Sequence, residues 1–208
     1  MNIDDLLTLT KEAESNSKKS DSELLKVYTI NGEHVGCAPR ILCHRLGLIH
    51  KVVYCFVVNS EGEILLQVRS EGRLDITIGG HLNSNDMSVG EALGREAVEE
   101  IGIRLDQSRL VKLCQYFREG DSKLSKPREI NREIRELFLY ELNEMELESI
   151  DEAFNERLEK NEVVNVQWCT LDEIAKACDT GKSADGLQAS YYHYLLWRVR
   201  NLEANDNA

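Results

Sequence analysis

The sequence is poor in the features that divide a chain or anchor it in a membrane. Only two of its 208 residues are proline, at positions 39 and 127, so no proline-rich linker separates two parts. The longest uninterrupted apolar run, residues 52–58, is far shorter than the roughly 20 residues that a membrane helix needs, and no basic segment precedes an apolar one at the N-terminus. We therefore predict a cytoplasmic protein that neither spans a membrane nor is secreted.

Positive charge is scarce as well. The chain carries 25 Lys and Arg against 37 Asp and Glu, a formal net charge of −12 at pH 7. Proteins that hold nucleic acid through its phosphates need a basic face, so we expect no general nucleic-acid binding. The six cysteines include no CxxC pair, and several stand in apolar stretches, which favours free buried thiols over a cysteine zinc site.

The pattern of apolar and turn residues predicts a mixed α/β chain without internal repeats, typical of an α/β sandwich. Residues 1–22 are polar and are predicted to form a frayed helix or arm that the core does not require, and residues 23–208 a single domain. Two β-hairpins open this domain. The predicted strands lie at residues 25–30, 34–38, 52–58, 64–68, 75–78, 110–117, 133–142 and 163–169, and the predicted helices at residues 88–101, 145–160, 171–178 and 187–202.

The predicted helix over residues 88–101 gathers acidic side chains. At about 100° per residue, Glu96, Glu99 and Glu100 fall within an arc of about 100°. Carboxylates about 6 Å apart at an effective dielectric of about 20 repel by roughly 3 kcal/mol per pair, which predicts a cation among them. Hard oxygen ligands of this kind suit Mg²⁺ or Mn²⁺. The alternative is a solvated acidic face, which is more typical of an isolated Glu-Glu pair.

Two further rows on this helix carry predictions. Glu91, Arg95 and Glu99 are spaced at i, i+4 and i+8, so the guanidinium is expected to hold both carboxylates and to orient Glu99. Gly90 and Gly94 each cost about 1 kcal/mol against alanine in a helix. Their presence predicts that another backbone packs closely against that face.

Residues 95–103, REAVEEIGI, resemble the second half of the Nudix box. The pattern of that family is Gly, five residues, Glu, seven residues and then REUxEExGU, where U is apolar. All five fixed positions and both apolar positions of the second half match. The first half departs from the pattern, because its glutamate falls on Met87. Asp86 and Glu91 are the candidates to replace it.

Three earlier segments resemble a Nudix subgroup that includes isopentenyl-diphosphate isomerase and its hydrolase-like relatives. These segments are NGEHVG at residues 31–36, HRLGLIHK at residues 44–51 and EILLQVR at residues 63–69. Together with the box, the resemblance covers roughly residues 25–142.

One position in this resemblance argues against the isomerase reaction itself. In the isomerase a catalytic cysteine stands just before a Gly-His pair, whereas here Gly79 precedes Gly80 and His81. The acid of the isomerase is therefore missing. In the isomerase, histidines form a metal site, and by this resemblance His44, His50 and His81 are candidates for a second one. The alternative for His50 is a packed histidine at the start of a strand.

The resemblance implies a Nudix-like α/β/α sandwich with a mixed sheet between helices. It also implies a Mg²⁺-dependent hydrolase that splits the diphosphate linkage of a nucleoside diphosphate derivative or a similar organic diphosphate, with Mn²⁺ as an alternative cation. An isoprenoid-diphosphate isomerase-like enzyme and a catalytically weak diphosphate-binding module are the alternatives. The expected partner is a small-molecule diphosphate, without a membrane partner, and the oligomeric state stays open, a homodimer included.

Candidate site residues come from the resemblance and from position. By resemblance, the carboxylates of the box helix are the metal ligands, and Glu100 is the first candidate for the general base. Glu133 is the second candidate, because it lies on a later predicted strand; one more surface charge is its alternative. Basic residues near strand ends beside the box are candidates to hold the outer phosphate, with a solvated surface role as the alternative for each. The predicted site residues are Glu96, Glu99, Glu100 and the Gly80 carbonyl for the metal, Glu100, Glu99, Glu96, Arg95 and Glu133 for catalysis, and Arg69, Arg73, Lys51 and His81 for the substrate.

Overall fold

Strands and helices alternate along the chain in the computed structural model, which describes residues 3–17, 23–122, 129–147, 150 and 163–206. The predicted mixed α/β class is confirmed. The strands are β1 (Leu24–Tyr28), β2 (His34–Pro39), β3 (Ile49–Val58), β4 (Ile64–Arg69), β5 (Leu74–Asp75), β6 (Ile78–His81), β7 (Val111–Ser122), β8 (Glu129–Glu141) and β9 (Val163–Cys169). The helices are α1 (Ile3–Ser17), α2 (Arg40–Leu46), α3 (Val89–Glu100), α4 (Leu171–Asp179) and α5 (Asp185–Asp206).

Strand pairing follows the order β2-β1-β3-β4-β5, with β9 on β4, β6 and β8 on β3, and β7 on β8, among the described residues. These residues also group into two compact units. The first unit draws on Met1–Val53, Gly80–Ala92 and Gln115–Glu136. The second draws on Tyr54–Gly79, Leu93–Cys114 and Leu137–Ala208.

Both predicted hairpins are confirmed, one in each unit. β1 and β2 pair antiparallel, from Leu24 opposite Pro39 to Tyr28 opposite His34. β3 and β4 pair antiparallel at Val57 opposite Leu65. The second turn is closed by the side chain of its first residue, asparagine, which accepts hydrogen bonds from two backbone N–H groups of the turn. The side chain of Asn59 therefore stabilises the turn of the second hairpin locally.

The apolar core of the first unit includes the N-terminal helix. A buried cluster of β1, β2 and α2 residues is contacted by Leu6 and Leu9 of α1. Thr10, on the same helix, is 1% exposed, and its hydroxyl donates to the carbonyl of Val35. The segment predicted as a frayed arm is thus a packed helix over its described part, because its apolar residues recur at helical spacing. The cluster consists of Leu25, Val27, Ala38, Cys43 and Leu48.

The second unit places β4 between β5 and β9. Gln67 is paired with Asp75 on one side and with Val166 on the other, both antiparallel. α4 begins with a capping box on Thr170, and the predicted stop of α3 at Gly102 is confirmed by its φ of 77°. No described helix is both long and apolar enough to cross a bilayer.

Several elements differ from the sequence prediction. α2 was not predicted, because it has only seven residues and its N-cap, Pro39, makes no side-chain capping hydrogen bond. β7 and β8 are longer than predicted. The predicted helix over residues 145–160 lies largely outside the described residues. None of the six cysteines, all of which are described, forms a disulfide, and four are buried, which confirms thiols in buried positions for most of them.

Gly47 ends α2 at a close contact. Its φ and ψ of 63° and 41° are left-handed, and its N–H donates to the carbonyl of Cys43. A Cβ at this position would lie 2.9 Å from Cγ2 of Ile130. Gly62 also has a positive φ, of 79°, but a Cβ there would meet nothing within 4 Å.

Gly47→Ala should therefore destabilise the fold more than Gly62→Ala. Both substitutions place alanine in the left-handed region, at a cost of about 1–2 kcal/mol. Only Gly47→Ala adds overpacking, which costs about 1–3 kcal/mol more. Urea unfolding midpoints of the two variants measure the difference. Equal losses would show that Ile130 does not restrict this turn.

Candidate active site

At the N-terminal end of α3, nearby side chains accept hydrogen bonds from backbone N–H groups. Ser88 accepts a hydrogen bond on its hydroxyl oxygen from the N–H of Glu91 at 3.1 Å. The carboxylate of Glu91 accepts from the N–H of Met87 at 2.7 Å, and that of Asp86 accepts from the N–H of Asn83 at 2.8 Å. Met87, where the family pattern has glutamate, is 85% exposed. Asp86 and Glu91, the two candidates to replace the glutamate of the family pattern, thus both accept hydrogen bonds from the backbone. The structure does not favour one over the other.

Arg95 contacts two carboxylates of α3, one of which was predicted. Its Nη1 lies 2.7 Å from Oε1 of Glu96 and 3.5 Å from Oε2 of Glu99. The predicted contact with Glu99 is confirmed, and the contact with Glu96 was not predicted. The Glu91 carboxylate accepts a hydrogen bond at the start of the helix, and its contact with Arg95 stays a prediction. The packing prediction for Gly94 is wrong, since a Cβ there would have open space around it.

The three predicted carboxylates have different surroundings. The side chain of Glu96 is 12% exposed, whereas that of Glu99 is 58% exposed. Glu100 is partly buried, and its Oε2 accepts a hydrogen bond from the N–H of Gly79 at 2.8 Å. The C-terminal half of α3 therefore presents a less exposed pair, Glu96 and Glu100, beside an exposed third carboxylate.

Metal binding by this pair stays a prediction, because Glu96, Glu99 and Glu100 do not form one of the described groups of three side chains whose ligand atoms all lie within 4.8 Å of one another. Burial is the largest effect on Glu100 and raises its pKa to about 8, and the charge of Glu96 acts in the same direction. The hydrogen bond from Gly79 and the polar side chain of Gln67 lower this pKa and do not offset the burial. Two acidic groups that repel in a poorly solvated place are stabilised by a nearby cation, and oxygen ligands select a hard one.

The basic residues predicted to bind phosphate are already paired with carboxylates. Arg69 binds Oδ2 of Asp75 through Nε and Nη2, at 3.0 and 2.8 Å. Arg73 pairs with Glu71 at 2.5 Å. Both arginines line a cavity of about 380 Å³ in the second unit. In the first unit, Lys51 pairs with a glutamate of β8 at 3.1 Å. Phosphate binding by any of these residues stays a prediction and requires sharing or exchange of these partners.

Three histidines meet in the first unit, one each from α2, β3 and β6. Their ring centroids lie 5.1 Å apart for His44 and His50, 5.5 Å for His44 and His81, and 5.2 Å for His50 and His81. One ligand nitrogen from each ring can be chosen so that all lie within 4.8 Å of one another. This spacing brings together the three residues that the isomerase resemblance proposed.

The surroundings of His44 and His50 leave a nitrogen lone pair available on each ring. Nδ1 of His50 lies 2.9 Å from the carbonyl of Leu48, so Nδ1 carries the proton and Nε2 is left as the acceptor. The Nε2 atoms of His44 and His50 are buried and have no hydrogen-bond partner among the described residues. Burial is also the main cause that lowers the pKa of both rings, and this keeps them neutral. A neutral imidazole with a free lone pair is a metal ligand.

Glu133 lies beside these histidines. Its Oε1 is 3.9 Å from Nε2 of His50, and its Oε2 is 2.7 Å from Nε of Arg135. Both members of this ion pair are almost fully buried, at 5% and 4% exposed. The charge of Arg135 therefore balances Glu133, and a role of Glu133 as general base stays a prediction.

Gln67 and Arg135 were missed by the sequence reasoning. Gln67 is 1% exposed in the run ILLQV, and Arg135 is buried within a charged stretch. The available signal was a lone polar residue inside an apolar strand, because a polar group that is buried in a core needs a specific partner. For Arg135 the surrounding charges gave no such contrast.

Comparisons with known proteins agree with the resemblance. The sequence matches the NUDIX domain family model over residues 48–189. Isopentenyl-diphosphate Delta-isomerase 1 of Photorhabdus laumondii is 32% identical over 84 residues, which cover 37% of this chain and 47% of that protein. The isopentenyl-diphosphate Delta-isomerase of Clavibacter sepedonicus is 31% identical over 108 residues, which cover 49% of this chain and 56% of that protein. The chain thus spans about half the length of these curated relatives.

A solved structure supports the fold. The crystal structure of DR0079 from Deinococcus radiodurans superposes with a TM-score of 0.59 at 21% identity, covering 82% of this chain and 97% of the other. The family match extends over more than half of the chain and contains α3 with its carboxylates. The chain therefore belongs to the Nudix family.

Proposed function

We propose that this Nudix protein is a Mg²⁺-dependent hydrolase that cleaves the diphosphate linkage of a nucleoside diphosphate derivative or a similar organic diphosphate. The observation that carries the proposal is the pair Glu96 and Glu100, two poorly solvated carboxylates within REAVEEIGI. Without a cation, two such carboxylates lower the stability of the fold, because they repel and are poorly solvated. In a metal site they would serve as ligands of a divalent cation that also binds the diphosphate.

Glu96 and Glu100 would hold the metal, with Glu99 as the exposed third carboxylate. The carbonyl of Gly80 stays a predicted ligand on the resemblance alone. When bound, the cation supplies charge neutralisation for the diphosphate and lowers the pKa of a bound water. Arg95 contributes by orienting Glu96 and Glu99 through its guanidinium.

Hydrolysis then needs a base. We assign this role to Glu100, whose Oε2 is oriented by the N–H of Gly79. The water oxygen bonds to phosphorus, the proton passes to the carboxylate and the bridging P–O bond breaks, so that two phosphorylated products leave. Arg69, the last residue of β4, is held by Asp75 and is our candidate on that strand to contact the outer phosphate.

A second candidate function is favoured by the histidine cluster. An isoprenoid-diphosphate isomerase-like enzyme would use His44, His50 and His81 as a metal centre, and the structure brings these rings together. Gly79 opposes this candidate, because a Cβ there would lie 2.8 Å from two ring atoms of Tyr54. Glycine at position 79 leaves the isomerase's acid absent, and any side chain introduced there would require Tyr54 to move. We propose the cluster as a second metal site without the isomerase reaction.

A substrate panel separates these functions. Nucleoside diphosphate sugars, dinucleoside polyphosphates and isopentenyl diphosphate are incubated with the protein and Mg²⁺ in ¹⁸O-labelled water. Phosphorylated fragments that carry ¹⁸O support the hydrolase and identify the phosphorus attacked. Conversion of isopentenyl diphosphate to its allylic isomer would favour the isomerase instead. Retention of a compound without turnover would favour the binding module.

Glu100→Gln should lower kcat/KM on the best substrate by at least about 100-fold, because general-base catalysis contributes about 10²- to 10⁴-fold. The free energy of unfolding in metal-free buffer should not fall, since the neutral amide removes a poorly solvated charge. Glu61→Gln, the same change at an exposed turn, is the matched control. Undiminished hydrolysis by Glu100→Gln would remove Glu100 from the mechanism.

The histidine site has a direct spectroscopic test. Co²⁺ added to the wild-type protein should produce visible d–d absorption, because imidazole ligands suit borderline divalent metals. His50→Asn should weaken Co²⁺ binding more than about 100-fold, beyond the loss seen when only a supporting residue is changed. His34→Asn, which alters an exposed histidine, should bind like the wild type. Equal spectra for all three proteins would place the cobalt elsewhere.

A further inference from the structure

We infer that a cavity in the first unit is a binding site for a small carboxylate with an apolar body. The cavity has a volume of about 400 Å³ and lies where the turn of the first hairpin meets the turn between α2 and β3, with one lining residue each from α1 and β8. All of its lining residues belong to the first unit, and none is a predicted site residue of the hydrolase or a histidine of the cluster. The inference therefore does not depend on the proposed function.

Apolar side chains form a large part of the lining. Leu48 and Ile49, where α2 passes into β3, are buried at 4% and 8% exposed. Ile30 in the hairpin turn and Leu46 at the end of α2 also line the cavity, and they are 68% and 44% exposed. Large apolar side chains exposed beside a cavity favour an apolar ligand, because its binding removes their surface from water.

A buried tyrosine lines the same cavity. Tyr28 is 7% exposed, and its hydroxyl has no hydrogen-bond partner among the described residues. Its ring is held by the ring of His34, at a centroid distance of 5.6 Å, and by Nζ of Lys51, 5.0 Å from the ring centroid. Burial is the main cause that raises the pKa of Tyr28 to about 12, so the hydroxyl stays protonated near neutral pH. Tyr28 thus has a hydrogen-bond donor to offer to a ligand.

Arg132 is the lining residue that carries a positive charge. Its Nε donates to Oε2 of Glu119 at 2.9 Å, and its two Nη groups have no acceptor among the residues that the structure describes. Its stem is packed at the turn that follows α2, since a Cβ on Gly47 would lie 3.2 Å from Cδ of Arg132. A guanidinium with available terminal nitrogens binds a carboxylate through charge-assisted hydrogen bonds.

The charges of the lining residues favour a head group with a single negative charge. Arg132 is accompanied by one lining carboxylate, Glu33, which is exposed, so water and salt screen its charge. A diphosphate carries several negative charges and would find one cation and one carboxylate here. A carboxylate needs fewer partners, and the guanidinium of Arg132 and the hydroxyl of Tyr28 supply donors of the required kind.

A surface depression that binds no ligand makes a different prediction. In that case the exposed apolar side chains only border two neighbouring turns, and any weak adhesion of an alkyl chain is insensitive to the charge of its head group. Octanoate and octylamine distinguish these possibilities, because they share the apolar chain and carry opposite charges at neutral pH.

Octanoate titrated into ¹⁵N-labelled protein should bind saturably, with a Kd in the millimolar range or tighter. The shifts in ¹H–¹⁵N spectra should be largest for the backbone amides of residues 28–33 and 46–49, which line or adjoin the cavity. Octylamine at the same concentrations should not produce them. Octanoate shifts that do not saturate or that centre elsewhere, or octylamine binding that equals that of octanoate, would overturn the inference.

Two substitutions test the donors. Arg132→Gln should weaken octanoate binding at least about tenfold, and Tyr28→Phe, which removes only the hydroxyl, about fivefold. Arg40→Gln makes the same change as Arg132→Gln at another exposed arginine of the first unit, paired with Glu23 at 3.2 Å, and should bind octanoate like the wild type.

Urea unfolding midpoints show whether each variant is folded. If Tyr28→Phe does not fold, Arg132→Gln and its control decide, because Arg132 is partly exposed and its ion pair adds little to stability. Octanoate affinity that Arg132→Gln leaves unchanged, or lowers no more than Arg40→Gln does, would contradict the proposed site.

Discussion

The central constraint in this protein is the cost of keeping Glu100 as a carboxylate in a poorly solvated place next to Glu96. Burial raises the pKa of Glu100 to about 8, and the charge of Glu96 adds to this effect. Several neighbouring features oppose the cost: the N–H of Gly79, the amide of Gln67 and the charge of Arg69. They reduce it without removing it. The negative charge that remains uncompensated at Glu96 and Glu100 suits a divalent cation, bound alone or together with a diphosphate.

Glu96 and Glu100 lie in the second unit, and the first unit holds a chemically different group, the three histidines His44, His50 and His81. The second unit offers hard carboxylate oxygens, whereas the first offers three imidazole rings kept neutral by burial. Oxygen ligands select magnesium or manganese, and imidazole nitrogens select borderline metals. The ion pair of Glu133 and Arg135 limits the negative charge beside the histidines. The two proposed metal sites would therefore differ in the metals that they prefer.

Much of the fold was predictable because its signals are local. Hairpins follow from turn residues between apolar runs, and α3 follows from helical spacing and a glycine stop. The carboxylates were predictable for the same reason, since periodicity places them on one face. Contacts between elements were not. The burial of Gln67 was not predicted, because it stands in an apolar run. The contact of Arg95 with Glu96 depends on the side-chain conformations along α3. The pairing of Arg69 with Asp75 depends on how β4 and β5 align.

The most direct measurement of the central claim is anomalous diffraction from crystals soaked with Mn²⁺. The account predicts a manganese peak within bonding distance, about 2.0–2.2 Å, of carboxylate oxygens of both Glu96 and Glu100, and its loss in Glu100→Gln crystals. A wild-type crystal that cleaves a diphosphate substrate in the presence of Mn²⁺ while no peak lies at these two carboxylates would contradict it.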